Sequence, residues 1–146
     1  MTAEIPRPPE IKVEHIMTKE VFSITLGMTI REAIKLMTSH RISGAPVVDN
    51  ARNVVSVMTE GDALKIAASA GLDKTVMKII ERLPKTENLV TAKASDSFAD
   101  VYKLFLQHSF HRILVVDSSG KLHGIVSRAN ILMLLVEGPK VVAAGA

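Results

Sequence analysis

Two hydroxyl residues each stand three positions ahead of a hydrogen-bond acceptor, Thr59 before Asp62 and Ser127 before Asn130. A carboxylate has two acceptor oxygens and takes two neighbouring hydroxyl donors at once, whereas an amide offers one acceptor oxygen and no charge. A hydroxyl at the mouth of a helix can donate to a phosphate, and the free N–H groups and positive dipole end of that helix add to the attraction. The same spacing is that of a capping box, which satisfies a helix N-terminus with no ligand at all. Spacing alone therefore leaves both roles open for Thr59 and Asp62. Arg128 adjoins Ser127, and the pair His111-Arg112 lies upstream where the equivalent stretch has Ser43-Gly44. The planar fork of Arg112 suits phosphate oxygens; a solvated surface charge is its plainer role.

The chemistry that is absent narrows the classes further. There is no GxSxG elbow, no glycine-rich phosphate loop and no HExxH, so no catalytic constellation is evident and a non-enzyme is expected. Zero cysteines remove disulfides, thiolate zinc sites and a cysteine nucleophile, and fit a reducing, cytoplasmic compartment. Of five histidines, His40 and His108 fall at the ends of equivalent helices, which favours a structural or capping role. His108 and His111 are close enough to share a ligand but lack a nearby acidic third one, so no metal site is expected. His15 and His123 have no evident partner.

The elements that must position these residues come from an internal repeat. With an offset of 68 residues and no gaps, residues 30–64 lie over residues 98–132 with apolar positions superposing nearly throughout. Ile30, Ala33, Ile34 and Met37, and again Phe98, Val101, Tyr102 and Phe105, follow the i, i+3, i+4, i+7 spacing of a helix with one buried face. Thr29 with Glu32, and Ser97 with Asp100, mark where each helix starts. Short β-branched runs follow at residues 45–48 and 113–116, then polar turns, then strands at 54–58 and 122–126, then second helices opened by Thr59 and Ser127. Extended segments at 21–25 and 89–92 add a strand to each copy. Residues 74–83 read as a helical connector stopped by Pro84, and the PRPP stretch and the tail after Gly138 as mobile ends.

The 47% hydrophobic content fills such a core, and no apolar run reaches the roughly 20 residues needed to cross a bilayer. No signal peptide is evident at the N-terminus. The net charge of +3, spread along the chain, suits anionic small molecules as well as nucleic acid.

In VEHIMTKEV, SGAPVVD and SVMTEGDAL of the first copy, and HRILVVD and GIVSRANIL of the second, the chain closely resembles the cystathionine-β-synthase (CBS) domain pair, or Bateman module. The resemblance implies an α/β fold of two tandem βαββα units packed with pseudo-twofold symmetry, leaving two clefts for nucleotides. It divides the chain into an extension (1–12), a first unit (13–72), a connector (73–88), a second unit (89–137) and a tail (138–146). It further implies a regulatory sensor of AMP, ADP, ATP or S-adenosylmethionine, sometimes NAD, that forms a homodimer and acts on a separate protein partner. Asp62 takes the place of the family's ribose-binding acid, with Thr59 toward the phosphate. The adenine slot would be lined by Ala45, Pro46 and Val47 with Ile24 at its rim, and in the other copy by Ile113, Leu114 and Val115 with Ala92. Asn130 departs from the pattern by replacing the acid, so ribose binding is expected to be weaker there, while Ser127, Arg128, His111 and Arg112 equip that copy for phosphate. Two rival readings remain: a nucleic-acid binder, which the basic pI of 9.3 allows and the single tyrosine and absent tryptophan disfavour as a stacking platform, and a purely structural dimeric module with degenerate clefts.

Overall fold

The computed structural model describes residues 11–138, whose sequence forms two compact α/β units. The first comprises Phe22–Leu89 together with Ser119–Leu122; the second comprises residues 11–21, Val90–Ser118 and the chain from His123 to Gly138. The extension before residue 11 and the tail beyond Gly138 lie outside the described residues.

In the first unit the chain runs β1 (Ile24–Thr25), α1 (Ile30–Ser39), β2 (Gly44–Val48), β3 (Val54–Thr59), α2 (Glu60–Ala70) and α3 (Val76–Ile79). The sheet order is β1-β2-β3, with β1 parallel to β2 and β2 antiparallel to β3. The helical spacing buries Ile30, Ala33 and Met37 of α1 against Ile24, Val47, Met58 and Ile66. Thr29 Oγ1 accepts from Glu32 N at 3.1 Å while Thr29 N donates to Glu32 Oε1 at 3.2 Å, so both halves of the expected capping box form.

The stretch read as a connector is part of this core: Val76, Ile79 and Leu83 are buried in the same cluster. It is also less helical than its spacing suggests, with four α-helical residues followed by a 3₁₀ turn over Ile80–Arg82. Leu83 is extended (φ −100°, ψ 160°), as the residue before a proline prefers.

The turn from β2 to β3 is organised by Asp49. Its Oδ1 accepts from Ala51 N and Asn53 N, each at 2.9 Å, and Oδ2 from Asn53 Nδ2 at 3.3 Å. These bonds hold Arg52 in the left-handed region at φ 69°. The hydrogen bond from the Asn53 backbone is the main reason the Asp49 carboxyl sits below its ordinary pKa of 3.8. A depressed folded pKa contributes stability that is present above 3.8 and is lost as pH falls through the lower folded value. Thermal melts should therefore find Asp49→Ala less stable than wild type at neutral pH, with the gap narrowing in acid below 3.8; a gap independent of pH would assign the loss to something other than the carboxylate.

The second unit repeats the plan with β4 (Thr91–Ala92), α4 (Phe98–Gln107), β5 (Arg112–Val116), β6 (Leu122–Ser127) and α5 (Arg128–Glu137), in sheet order β4-β5-β6. Its core gathers Phe98, Val101, Ile113, Val115, Val126 and Ile131. The Ser119–Leu122 turn groups with the first unit, where Val54 N donates to Gly120 O at 2.9 Å and Leu122 N to Arg52 O at 3.0 Å.

The compact units divide the chain otherwise than the two repeats do. Residues 11–21 belong to the unit of the second repeat, as a strap whose Ile11 and Val13 are buried in that core. Val13 N donates to Asp96 O at 2.9 Å, Glu14 N to Ala94 O at 3.0 Å and Phe98 N to Ile11 O at 2.9 Å. Thr18 and Ile125 exchange both backbone hydrogen bonds, at 2.8 and 2.9 Å. Covering two apolar side chains and satisfying these backbone groups fixes the strap there.

Candidate functional site

At the end of β3 the chain turns directly into α2, and this junction places Thr59 and Asp62. Gly44 pairs with Thr59 across the sheet, and Glu60 N donates to Ser43 O at 2.9 Å, so the start of β2 lies beside the helix mouth. Thr59 Oγ1 accepts from Asp62 N at 3.2 Å. Asp62 Oδ2 in turn accepts from Thr59 N and from Thr59 Oγ1, each at 2.9 Å. The capping box is therefore real. It occupies only one carboxylate oxygen, and Oδ1 has no hydrogen-bond donor among the described residues. A half-buried carboxylate with one free oxygen keeps acceptor capacity for a ligand hydroxyl.

Further along α2, Asp62, Lys65, Ile66 and Ser69 line a pocket of about 220 Å³ that Arg82 closes from the 3₁₀ turn. Asp62, Ile66 and Ser69 follow helical spacing, a signal present in the sequence but not taken up in reading it. Nothing local in the sequence points to Arg82.

The slot residues Ile24, Ala45, Pro46 and Val47 are brought together, with Ile24 opposite Val47 in the parallel register and Ala45 opposite Met58. All four are buried, so their side chains are core. In the second unit Ala92 pairs with Val115 and Thr91 with Leu114, and Ile113, Leu114 and Val115 are likewise buried.

The second helix mouth reproduces the first. Asn130 Oδ1 accepts from Ser127 N at 2.7 Å and from Ser127 Oγ at 2.8 Å, and Ser127 Oγ accepts from Asn130 N at 3.3 Å. Asn130 Nδ2 also donates to Thr18 Oγ1 of the strap at 3.4 Å, a partner that sequence reasoning missed. Arg128 Nε donates to Phe110 O at 2.8 Å and Arg128 N to His111 O at 3.2 Å, which draws His111 and Arg128 together. The His111 side chain is exposed, and Arg112 is half-buried at the head of β5.

His40 and His108 are the C-cap residues of α1 and α4, packed on Phe22 and Phe110. The two histidines without a sequence partner have structural ones: His123 Nε2 lies 3.0 Å from Asp117 Oδ2, and His15 Nδ1 accepts from Lys12 N at 3.1 Å. Hairpin geometry brings the first pair together across the β5–β6 turn, and one 3₁₀ turn the second. Among the described residues no three His, Asp or Glu side chains converge as a metal site would require. No described helix is long and apolar enough to cross a membrane.

The family model of the CBS domain matches twice, over residues 13–69 and 77–137. This chain belongs to the CBS-domain family. The uncharacterised protein MJ1232 from Methanocaldococcus jannaschii is 32% identical over 127 residues, covering 87% of this chain but only 40% of that protein, so the chain spans less than half of its relative. Among solved structures, CBSX2 from Arabidopsis thaliana in complex with AMP superposes with a TM-score of 0.72 at 23% identity, over 87% of this chain and 97% of that one. The CBS domain pair of MJ0100, in complex with 5′-methylthioadenosine and S-adenosyl-L-methionine, gives a TM-score of 0.68 at 24% identity, over 86% and 96%. At these identities the structural likeness establishes the tandem CBS fold.

Proposed function

We propose that this CBS pair is a non-enzymatic regulatory module that binds an adenine nucleotide or S-adenosylmethionine, with Asp62 taking the ribose hydroxyls. The observation that carries the reading is the Asp62 carboxylate, held by Thr59 through Oδ2 with Oδ1 left to accept. The AMP complex of CBSX2 and the S-adenosylmethionine complex of MJ0100 support the ligand class. Ser127, Asn130 and Arg112 form a weaker second site, since the Asn130 oxygen already accepts two hydrogen bonds. Regulation follows by linkage: a ligand shifts the protein toward the arrangement it binds better, by no more than its differential affinity, and a homodimer would pass that shift to a separate cytoplasmic partner protein.

A thermal-shift panel tests this. An adenine ligand at about ten times its dissociation constant adds about 1.4 kcal/mol and raises Tm by about 3–6 °C. A shift shared by AMP, ADP, ATP or S-adenosylmethionine and absent with GTP bears the reading out. No shift with any adenine compound, beside retention of single-stranded RNA at moderate salt, replaces it with nucleic-acid binding.

A further inference from the structure

The pocket along α2 carries two cations that no carboxylate neutralises. Arg82 is anchored by a neutral group, its Nη1 donating to Ser69 Oγ at 2.7 Å. Ser69 Oγ donates in turn to Lys65 O at 2.9 Å, so the hydroxyl is fixed to the helix backbone before it holds the guanidinium. Neither Lys65 nor Arg82 makes an ion pair among the described residues, while Arg31, elsewhere in the same unit, pairs with Asp73 at 3.3 Å. Asp62, the one acid of the lining, has Oδ2 committed to Thr59 at the helix mouth. The lining therefore sums to one net positive charge, with the Arg82 Nε and Nη2 donors and the Lys65 ammonium left for an incoming acceptor.

A pocket of about 220 Å³ is smaller than the roughly 300–1,000 Å³ typical of whole-ligand sites, so it fits a small anion or one end of a larger molecule. A tetrahedral anion with several acceptor oxygens matches a pinned guanidinium fork beside a mobile ammonium. We infer that this pocket binds a phosphoryl group, gripped by Arg82 and Lys65, supplied either as free phosphate or as the phosphate end of a nucleotide. The inference goes beyond the ribose-binding role of Asp62 and stands without it.

The test is calorimetric titration of the full chain with inorganic phosphate, AMP and adenosine, using wild type, Lys65→Ala, Arg82→Ala and Arg82→Glu. Both side chains are exposed, so the fold is expected to survive, and circular dichroism checks that it does. Partly exposed ion pairs of this kind predict a loss of about threefold for each alanine variant and about tenfold or more for the charge reversal. If the group is free phosphate, these losses appear with inorganic phosphate and AMP affinity is unmoved; if it belongs to a nucleotide, they appear with AMP and not with adenosine. Absence of phosphate binding together with equal AMP affinity in wild type and Arg82→Glu overturns the inference. Retained phosphate binding with no binding of AMP or adenosine would instead remove the nucleotide reading and leave this one standing.

Discussion

Asp62→Ala is expected to raise the dissociation constant for AMP by about tenfold to a hundredfold, corresponding to about 1.4–2.8 kcal/mol, the range for losing charge-assisted hydrogen bonds to ribose hydroxyls. The side chain has two roles that this variant removes together, because Oδ2 also closes the capping box on Thr59. Loss of the cap alone costs about 0.5–2 kcal/mol of stability, so a lowered Tm in the absence of ligand is part of the expected result. Asp62→Asn separates the roles, and the protein contains its own precedent. At the equivalent position Asn130 forms a complete capping box through a single oxygen, at 2.7 and 2.8 Å. The asparagine variant should keep its Tm close to wild type while losing most of the AMP affinity, since the second acceptor oxygen and the charge are gone. Wild-type affinity in Asp62→Asn would show that Asp62 is a cap and nothing more.

How far such features could be read in advance follows from how local they are. The helix starts at Thr29, Thr59, Ser97 and Ser127 were legible because a cap and its partner stand three residues apart, and the faces of α1 and α4 because helical periodicity repeats over ten residues. The repeat told that both copies share one order of elements, while the β1–β2 and β4–β5 pairings join strands separated by a helix and had no local signal. Arg82 was not legible, since it reaches Ser69 only because Ile79 and Leu83 are pulled into the core on either side of it. The contact between Asn130 and Thr18 joins residues 112 apart and depends on where the strap docks, which no local pattern specifies. For the same reason the sequence reading, which places residues 11–12 in the extension and 13–21 in the first unit, does not show which core this segment covers.

The docking of that strap leads to the second large expected effect, at Gly124. By the 68-residue offset Gly124 of β6 corresponds to Ser56 of β3, and Ile16 and Thr18 to Pro84 and Thr86. Within each unit an equivalent segment crosses an equivalent strand: Thr86 Oγ1 donates to Val55 O at 3.1 Å in the first, and Thr18 bridges Ile125 in the second. At Ser56 a side chain is accommodated because its hydroxyl donates to Pro84 O at 2.7 Å. At Gly124 the strap comes closer, and a Cβ would stand 2.7 Å from Met17 Sδ and 2.8 Å from Thr18 O. The methionine can swing away, but the carbonyl cannot, since Thr18 is tied to Ile125 through both its N–H and its C=O. Gly124→Ala is therefore expected to cost about 1–3 kcal/mol by overpacking, measured by denaturant unfolding. Hydrogen exchange should locate the damage, with faster exchange at the Thr18 and Ile125 amides and the first-repeat unit unchanged. Unaltered stability with full protection at Thr18 would mean that the strap is not held against β6. If it is held there, release of the strap also frees Asn130 from Thr18, so the same glycine links the packing of residues 11–21 to the second candidate site.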